Sequence, residues 1–166
     1  MVLIISNQPK IENFSDEYFI SLAIKEAEKA KKYGDIPVGA LIVRDNIIIS
    51  KAHNQIERYG NPLLHAEIIA IQSAAKKIEY KHLYECVLYV NLEPCVMCSG
   101  AIILSRLKKV VFGASDSKTG GIQSLYQIGN DSRLNHQIEV TSGIMQNECS
   151  IQIKNFFQEL RINKKK

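Results

Sequence analysis

Two cysteines, Cys95 and Cys98, stand close together in Leu92-Glu93-Pro94-Cys95-Val96-Met97-Cys98-Ser99-Gly100-Ala101. Residues i and i+3 lie on one helix face, so both sulfurs can reach a common point if the segment is helical. A helix N-terminus is electropositive and favours thiolate over thiol. Such a pair can ligate a metal, form a redox couple or fill a core, and spacing alone leaves all three open. Upstream stands His65-Ala66-Glu67. A catalytic zinc takes three protein ligands and keeps its fourth position for water. His65, Cys95 and Cys98 supply such a set. Glu67, two residues from a ligand, is placed to move a proton without binding the metal. The bland alternative is a helix-start histidine beside a solvated glutamate. It suffices for His-x-Glu alone and fits poorly once both halves occur together.

The elements that must position these groups are legible in outline. Val87–Leu92 is a β-branched, aliphatic run of the kind that forms a buried strand. Pro94 is expected in the first helical turn that follows, where its missing N–H has no intrahelical partner to lose. A helix over Cys95–Ser105 then leads to a strand at Lys108–Phe112, and strand–helix–strand order implies a parallel crossover. Ahead of these come a helix from Asp16 to Lys32 capped by Ser15 or Asp16, and apolar runs Pro37–Val43 and Ile47–Ile49 around Asp45-Asn46, a hairpin signature. Gly39 and Ala40 either floor a pocket or permit close packing of a helix. Gln55–Leu64 reads as a loop, and His65–Lys77 as a helix. Gly113–Ser132 is a long polar stretch that carries function or local helix. A strand at Ile138–Thr141 and a helix at Asn147–Arg161 close the chain. The sum is an α/β sheet of about five strands flanked by helices. Residues 1–15 read as a lead-in segment, 16–162 as one domain and 163–166 as a basic tail.

Composition narrows the classes. A chain of 166 residues with 46% hydrophobic and 23% charged residues suits one folded domain rather than disorder. A formal net charge of +4 permits a polyanionic partner without requiring one. Four cysteines, two of them in the motif, do not make a secreted disulfide framework; Cys86 and Cys149 read as buried thiols. Free thiolates suit a reducing cytoplasm. Val2-Leu3-Ile4-Ile5 is too short for a signal core or a membrane span.

The two halves match the His-x-Glu … Pro-Cys-x-x-Cys pattern of zinc nucleobase deaminases. The chain as a whole, from about Phe19 to Arg161, resembles the bacterial tRNA-specific adenosine deaminases of the cytidine deaminase-like superfamily. The resemblance is carried by Asp35-Ile36-Pro37-Val38-Gly39-Ala40, His53-Asn54, Asn61-Pro62, His65 to Ile68 and Leu92 to Ala101. Beyond the zinc motif, Lys118-Thr119-Gly120, Asn135-His136 and Phe156-Phe157 point to the tRNA branch. The resemblance implies a three-layer cytidine deaminase-like fold with a five-stranded mixed sheet, and a homodimer. It implies conversion of adenosine to inosine at the wobble position of a tRNA anticodon. His65, Cys95 and Cys98 match the family's Zn2+ ligands and Glu67 its proton shuttle. Asn54 matches a residue that bonds the flipped purine. Asp116, Asn135 and Phe156 lie in segments that resemble contacts to the anticodon loop.

The chain departs from the family pattern at Leu63, Leu64, Asn91 and Ser115, so pocket entry and one phosphate contact are expected to differ. Two rivals stand beside this reading. One is a free nucleobase or nucleotide deaminase of guanine or cytosine type, against which Asn135-His136 and the basic ending Arg161–Lys166 argue. The other is a non-catalytic zinc or redox module, against which Glu67 argues, because a structural site closes its fourth position with a ligand.

Overall fold

Helix α1 spans Asp16–Lys31 and opens where Ser15, in extended backbone, accepts a hydrogen bond from Tyr18 N (3.2 Å). The computed structural model describes residues 14–163, so the tail Lys164–Lys166 and most of the lead-in lie outside the described residues. Asp16 and Glu17 in the first turn of α1 and Lys29 and Lys31 in the last complement the helix dipole. Its buried face includes Phe19, Ile20, Ala23, Ala27 and Ala30, whose small members let it lie close to the sheet.

Strands β1 (Gly39–Arg44) and β2 (Ile47–His53) form the expected antiparallel hairpin. Asp45 and Asn46 turn it with φ of 51° and 60°, the positive values that a two-residue hairpin loop of type I′ requires. A Cβ on Gly39 would meet Ala23 O at 2.2 Å and Ala27 N at 2.5 Å, so the small residue serves close packing of α1. β2 continues past Ile49 through polar residues because Ser50 is buried and its hydroxyl donates to Ala70 O (2.7 Å).

The stretch read as a loop contains a short helix, α2 (Ile56–Tyr59). Buried Asp35 accepts hydrogen bonds from Glu57 N (2.9 Å) and Arg58 N (3.3 Å), capping α2 from a distant part of the chain. After it come α3 (Ala66–Ile78), β3 (Val87–Leu92), α4 (Val96–Leu104) and β4 (Lys109–Ala114). The stretch after β4 has only a 3-10 turn at Ile128–Asn130 before β5 (Glu139–Ser142) and α5 (Gln146–Asn163).

The sheet order is β2-β1-β3-β4-β5. β1 pairs antiparallel with β2 and β3, while β3–β4 and β4–β5 are parallel, so the sheet is mixed. Alternation along the strands builds two cores. Ala40, Ile42, Leu88, Val90, Val110 and Phe112 pack with Ala70 and Ala74 of α3 and Ile102 of α4. Leu41, Val43, Tyr89 and Val111 pack with Phe19 and Ala23 of α1 and with Cys149 of α5. Helices thus cover both faces, giving three layers.

Candidate active site

The parallel strand β3 ends at Leu92 and delivers Glu93, Pro94 and Cys95 to the start of α4. Cys95 is the N-cap, with φ −70° and ψ 177°, and Cys98 lies in the first turn. Pro94 therefore precedes the cap and is not helical; its carbonyl accepts from Gly121 N (2.8 Å) and anchors the following loop. His65 is the N-cap of α3, with φ −71° and ψ 147°. Neither side chain makes a capping hydrogen bond. Instead they face each other across the two helix starts.

His65 Nδ1 lies 3.7 Å from Cys95 Sγ and 3.6 Å from Cys98 Sγ. All three donor atoms lie within 4.8 Å of one another. Tetrahedral zinc at about 2.3 Å from sulfur and about 2.0–2.1 Å from nitrogen sets S···N at about 3.6 Å, so the donor set fits the ion. Among the protein groups alone, the hydrogen bond from the Cys98 thiol, helped by His65, holds Cys95 down at about 4. The same bond, with burial, pushes Cys98 well up. Coordination ends that contest, since a metal-bound thiol is deprotonated outright.

Glu67 is 3% exposed and its Oε2 has no hydrogen-bond partner. Burial pushes its carboxyl up to about 7. It opens, with His65 and Cys95, onto a cleft of about 500 Å³ whose apolar wall includes Val38, Leu92 and Ile153. That volume is in the range of small-molecule and cofactor sites.

The other expected residues divide. Asn54 lines the cleft, and its Oδ1 accepts from Ala66 N (2.9 Å), giving α3 the cap that His65 withholds. Asp116 also lines the cleft, but its carboxylate is committed locally, to Lys118 N (2.9 Å), Thr119 N (3.2 Å) and Thr119 Oγ1 (2.6 Å). Phe156 is 5% exposed and belongs to the core; its neighbour Phe157 lines the cleft. Asn135 lies ahead of β5, where its carbonyl accepts from Arg106 Nη1 (2.9 Å). That is the opposite end of the parallel strands from Cys95. Leu63 is exposed, and neither it nor Leu64 is among the residues lining the cleft.

Glu93 is a site residue that motif reading passed over. It is 2% exposed, and its carboxylate accepts from Asp116 N (3.0 Å), Gln123 N (2.8 Å), Ser124 N (2.9 Å) and the Ser124 hydroxyl. A Cβ on Gly120 would come within 2.5 Å of that carboxylate. Glu93 thereby fixes the loop that carries Asp116, Lys118 and Thr119 along the cleft.

Residues 14–114 match the family model of the cytidine and deoxycytidylate deaminase zinc-binding region. The tRNA-specific adenosine deaminase of Aquifex aeolicus (strain VF5) is 45% identical over 147 residues, covering 89% of this chain and 97% of its own. That of Bacillus subtilis (strain 168) is 45% identical over 150 residues, covering 90% and 93%. A solved structure from studies of A-to-I editing by tRNA:A34 deaminases at the wobble position of transfer RNA matches with TM-score 0.78 and 32% identity, covering 81% of this chain and 98% of that one. With the zinc-binding region, the three-donor geometry and this span of likeness together, the chain belongs to the tRNA-specific adenosine deaminase family and takes zinc as its cofactor.

Proposed function

We propose that this protein hydrolyses adenosine to inosine at the wobble position of a tRNA anticodon, with His65, Cys95 and Cys98 holding the zinc. The observation that carries the reading is Glu67: a buried carboxylate with an unpartnered oxygen, beside a three-donor metal site, at the wall of an open cleft. Zinc, when bound, supplies a water acidic enough to attack at neutral pH. Glu67 accepts one proton from that water as the water oxygen bonds to the ring carbon, and passes it to a ring nitrogen; it then takes the second proton from the new hydroxyl and delivers it to the amine, whose C–N bond breaks to release ammonia. Asn54 turns its oxygen to Ala66 N, which leaves its N–H donors for the base. A purine presents ring-nitrogen acceptors to such a group. Phe157 at the cleft offers a ring face for a splayed base, a contact of about 1–3 kcal/mol. Asp116 acts by shaping its loop. Asn135 and Phe156 are assigned no base contact.

An anticodon loop suits this cleft because its bases are already unstacked, whereas a duplex buries the amino group under attack. The enzyme is assigned to the cytoplasm, where tRNA and reduced thiols coexist; no helix among the described residues is long and apolar enough to cross a membrane. A homodimer is assigned through α4, whose outer face aligns Val96, Gly100 and Leu104, the last 77% exposed.

The test offers a tRNA anticodon stem-loop, adenosine, guanine and cytosine side by side at two salt concentrations. The expected result is inosine in the stem-loop alone, with affinity weakened by salt. Efficient deamination of a free base, with the stem-loop untouched, overturns the substrate assignment.

A further inference from the structure

A buried polar bridge stands behind the cleft. Asn91, fully buried in β3, accepts from Gly39 N (2.9 Å) through Oδ1. Its Nδ2 donates to Pro37 O (2.8 Å) and to Gln152 Oε1 (2.8 Å) on α5. Gln152, 6% exposed, donates through Nε2 to Ile24 O (3.0 Å) and Glu28 Oε1 (2.6 Å) on α1. The partners dictate both amide orientations. Gly39 N can only donate and Pro37 O can only accept, so Asn91 turns its nitrogen to Gln152 and meets an oxygen. The bridge leaves no amide hydrogen of either residue unused.

Three of the segments that the bridge ties, those of β1, β3 and α5, also contribute a cleft residue beside the tie, and α1 serves only as the anchor behind them. Val38 lies between Pro37 and Gly39, Leu92 follows Asn91, and Ile153 follows Gln152, with Phe157 one turn further along α5. Gln152 carries the side-chain hydrogen bonds from α5 to Asn91 of β3 and to α1, and the Cys149 thiol adds one to the backbone of Ala114 on β4. Other α5 contact is apolar, through residues such as Ile153. Apolar contact is non-directional and tolerates sliding, whereas hydrogen bonds fix distance and register.

We propose that Asn91 and Gln152 are positioning residues that set α5 against β3, the strand that leads to Cys95, and thereby the span between the Val38–Leu92 wall and Phe157. This deepens the adenosine-site reading and rests on it. The bridge supplies what packing alone does not, a fixed place for the wall that meets the base. A fully satisfied buried network rigidifies a unique arrangement, and a half-satisfied one does not.

The test compares zinc-loaded wild type, Gln152→Met, Asn91→Thr and the double variant on the anticodon stem-loop. Wild-type turnover on that substrate decides the underlying reading by itself; if another substrate is turned over, the same comparison is run on that one. Each single variant strands a buried donor or acceptor, so its thermal midpoint falls. KM rises about tenfold with kcat within about twofold, because alignment for binding is lost and the reacting groups are untouched. The double variant removes both ends of the central bond but leaves the outer partners Gly39 N, Pro37 O and Ile24 O without their amides, so its thermal midpoint falls by less than the two single losses together. Its KM stays raised, and no further than in the singles, because the two residues act as one unit. A KM that never moves in the folded variants reduces the bridge to a stability element and overturns the proposal. So does a double variant whose KM rise is the product of the two singles.

Discussion

Glu26 on α1 and Glu67 on α3 are both almost fully buried, 5% and 3% exposed, and the fold treats them oppositely. Glu26 accepts hydrogen bonds from Lys29 Nζ (2.7 Å) and His53 Nδ1 (2.9 Å). Burial pushes its pKa up, but those bonds outweigh burial and hold it below the usual 4.5. Glu67 receives no such compensation at Oε2, and burial pushes it up to about 7. Removing a carboxylate from water is costly unless hydrogen bonds or an opposite charge offset the loss. At Glu26 the offset is complete and the residue is structural. At Glu67 nothing offsets the loss at Oε2, and under the proposed function the missing partners are the proton and the substrate that the cleft admits. Glu93 is a third case, buried without a cation and satisfied by backbone N–H groups and a serine hydroxyl.

The sharpest way to break the contrast is to remove what Glu67 faces. Cys95→Ala takes away one of three ligands, and zinc content measured by metal analysis is expected to fall largely to nothing, with deamination abolished. Wild-type zinc and turnover in that variant would leave the isolation of Glu67 without a cause. Glu67→Gln comes next. Zinc is retained, because no ligand is touched, and turnover falls by about 10²–10⁴-fold, because the proton shuttle is lost. The thermal midpoint does not drop, since a neutral amide replaces an uncompensated buried carboxyl. A variant within about tenfold of wild-type turnover shifts the proton transfer to another group.

Glu93→Gln tests whether satisfaction by backbone alone is worth as much as an ion pair. One acceptor oxygen becomes an NH2 group facing N–H donors, so at least one buried group goes unpaired at a cost of about 1–3 kcal/mol. Urea denaturation is expected to show that loss, together with a raised KM as the Asp116–Thr119 wall loosens. Unchanged stability would mean the loop holds its shape without Glu93.

The contrast also explains what was legible in the sequence. The three metal donors were, because ligation demands particular side chains at short, fixed spacings, and the same spacing marks Glu67, the residue proposed for proton transfer. β3 was, because its burial on both faces leaves an apolar run interrupted only by Asn91. Glu93 was not, since its donors are backbone groups of Asp116, Gln123 and Ser124, which any sequence would provide. Gln152 is hidden for a related reason: it interrupts the apolar stripe of α5 yet is buried, and only its distant partners Asn91, Ile24 and Glu28 make that tolerable. The α2 cap from Asp35 crosses the fold in the same way. Phe156 and Phe157 were visible as a pair, but which ring enters the cleft depends on the rotation of α5 about its axis. Asn135 is expected at the anticodon loop only through a family-like segment, and the parallel pairing of β4 and β5 carries it to the end of the sheet away from Cys95.

The smallest effect belongs to Glu26, and pH resolves it. Its folded pKa is depressed, so as pH falls the unfolded chain takes up this proton before the folded one does. Stability falls wherever the unfolded state binds more protons, so the contribution of Glu26 is full above about pH 4.5 and is lost as pH falls through the folded value. Glu26→Gln removes that contribution. Wild type is expected to exceed the variant by under about 1 kcal/mol at pH 7, because the Lys29 partner is largely solvated and screening limits such pairs. The gap closes on acidification, and turnover stays within about twofold of wild type because the residue has no place in the cleft. Urea midpoints of the two proteins from pH 7 down to about pH 3 measure it. A gap that widened towards acid would mean that Glu26 is held neutral by burial, as Glu67 is, and the two carboxylates would no longer stand for opposite treatments of the same cost.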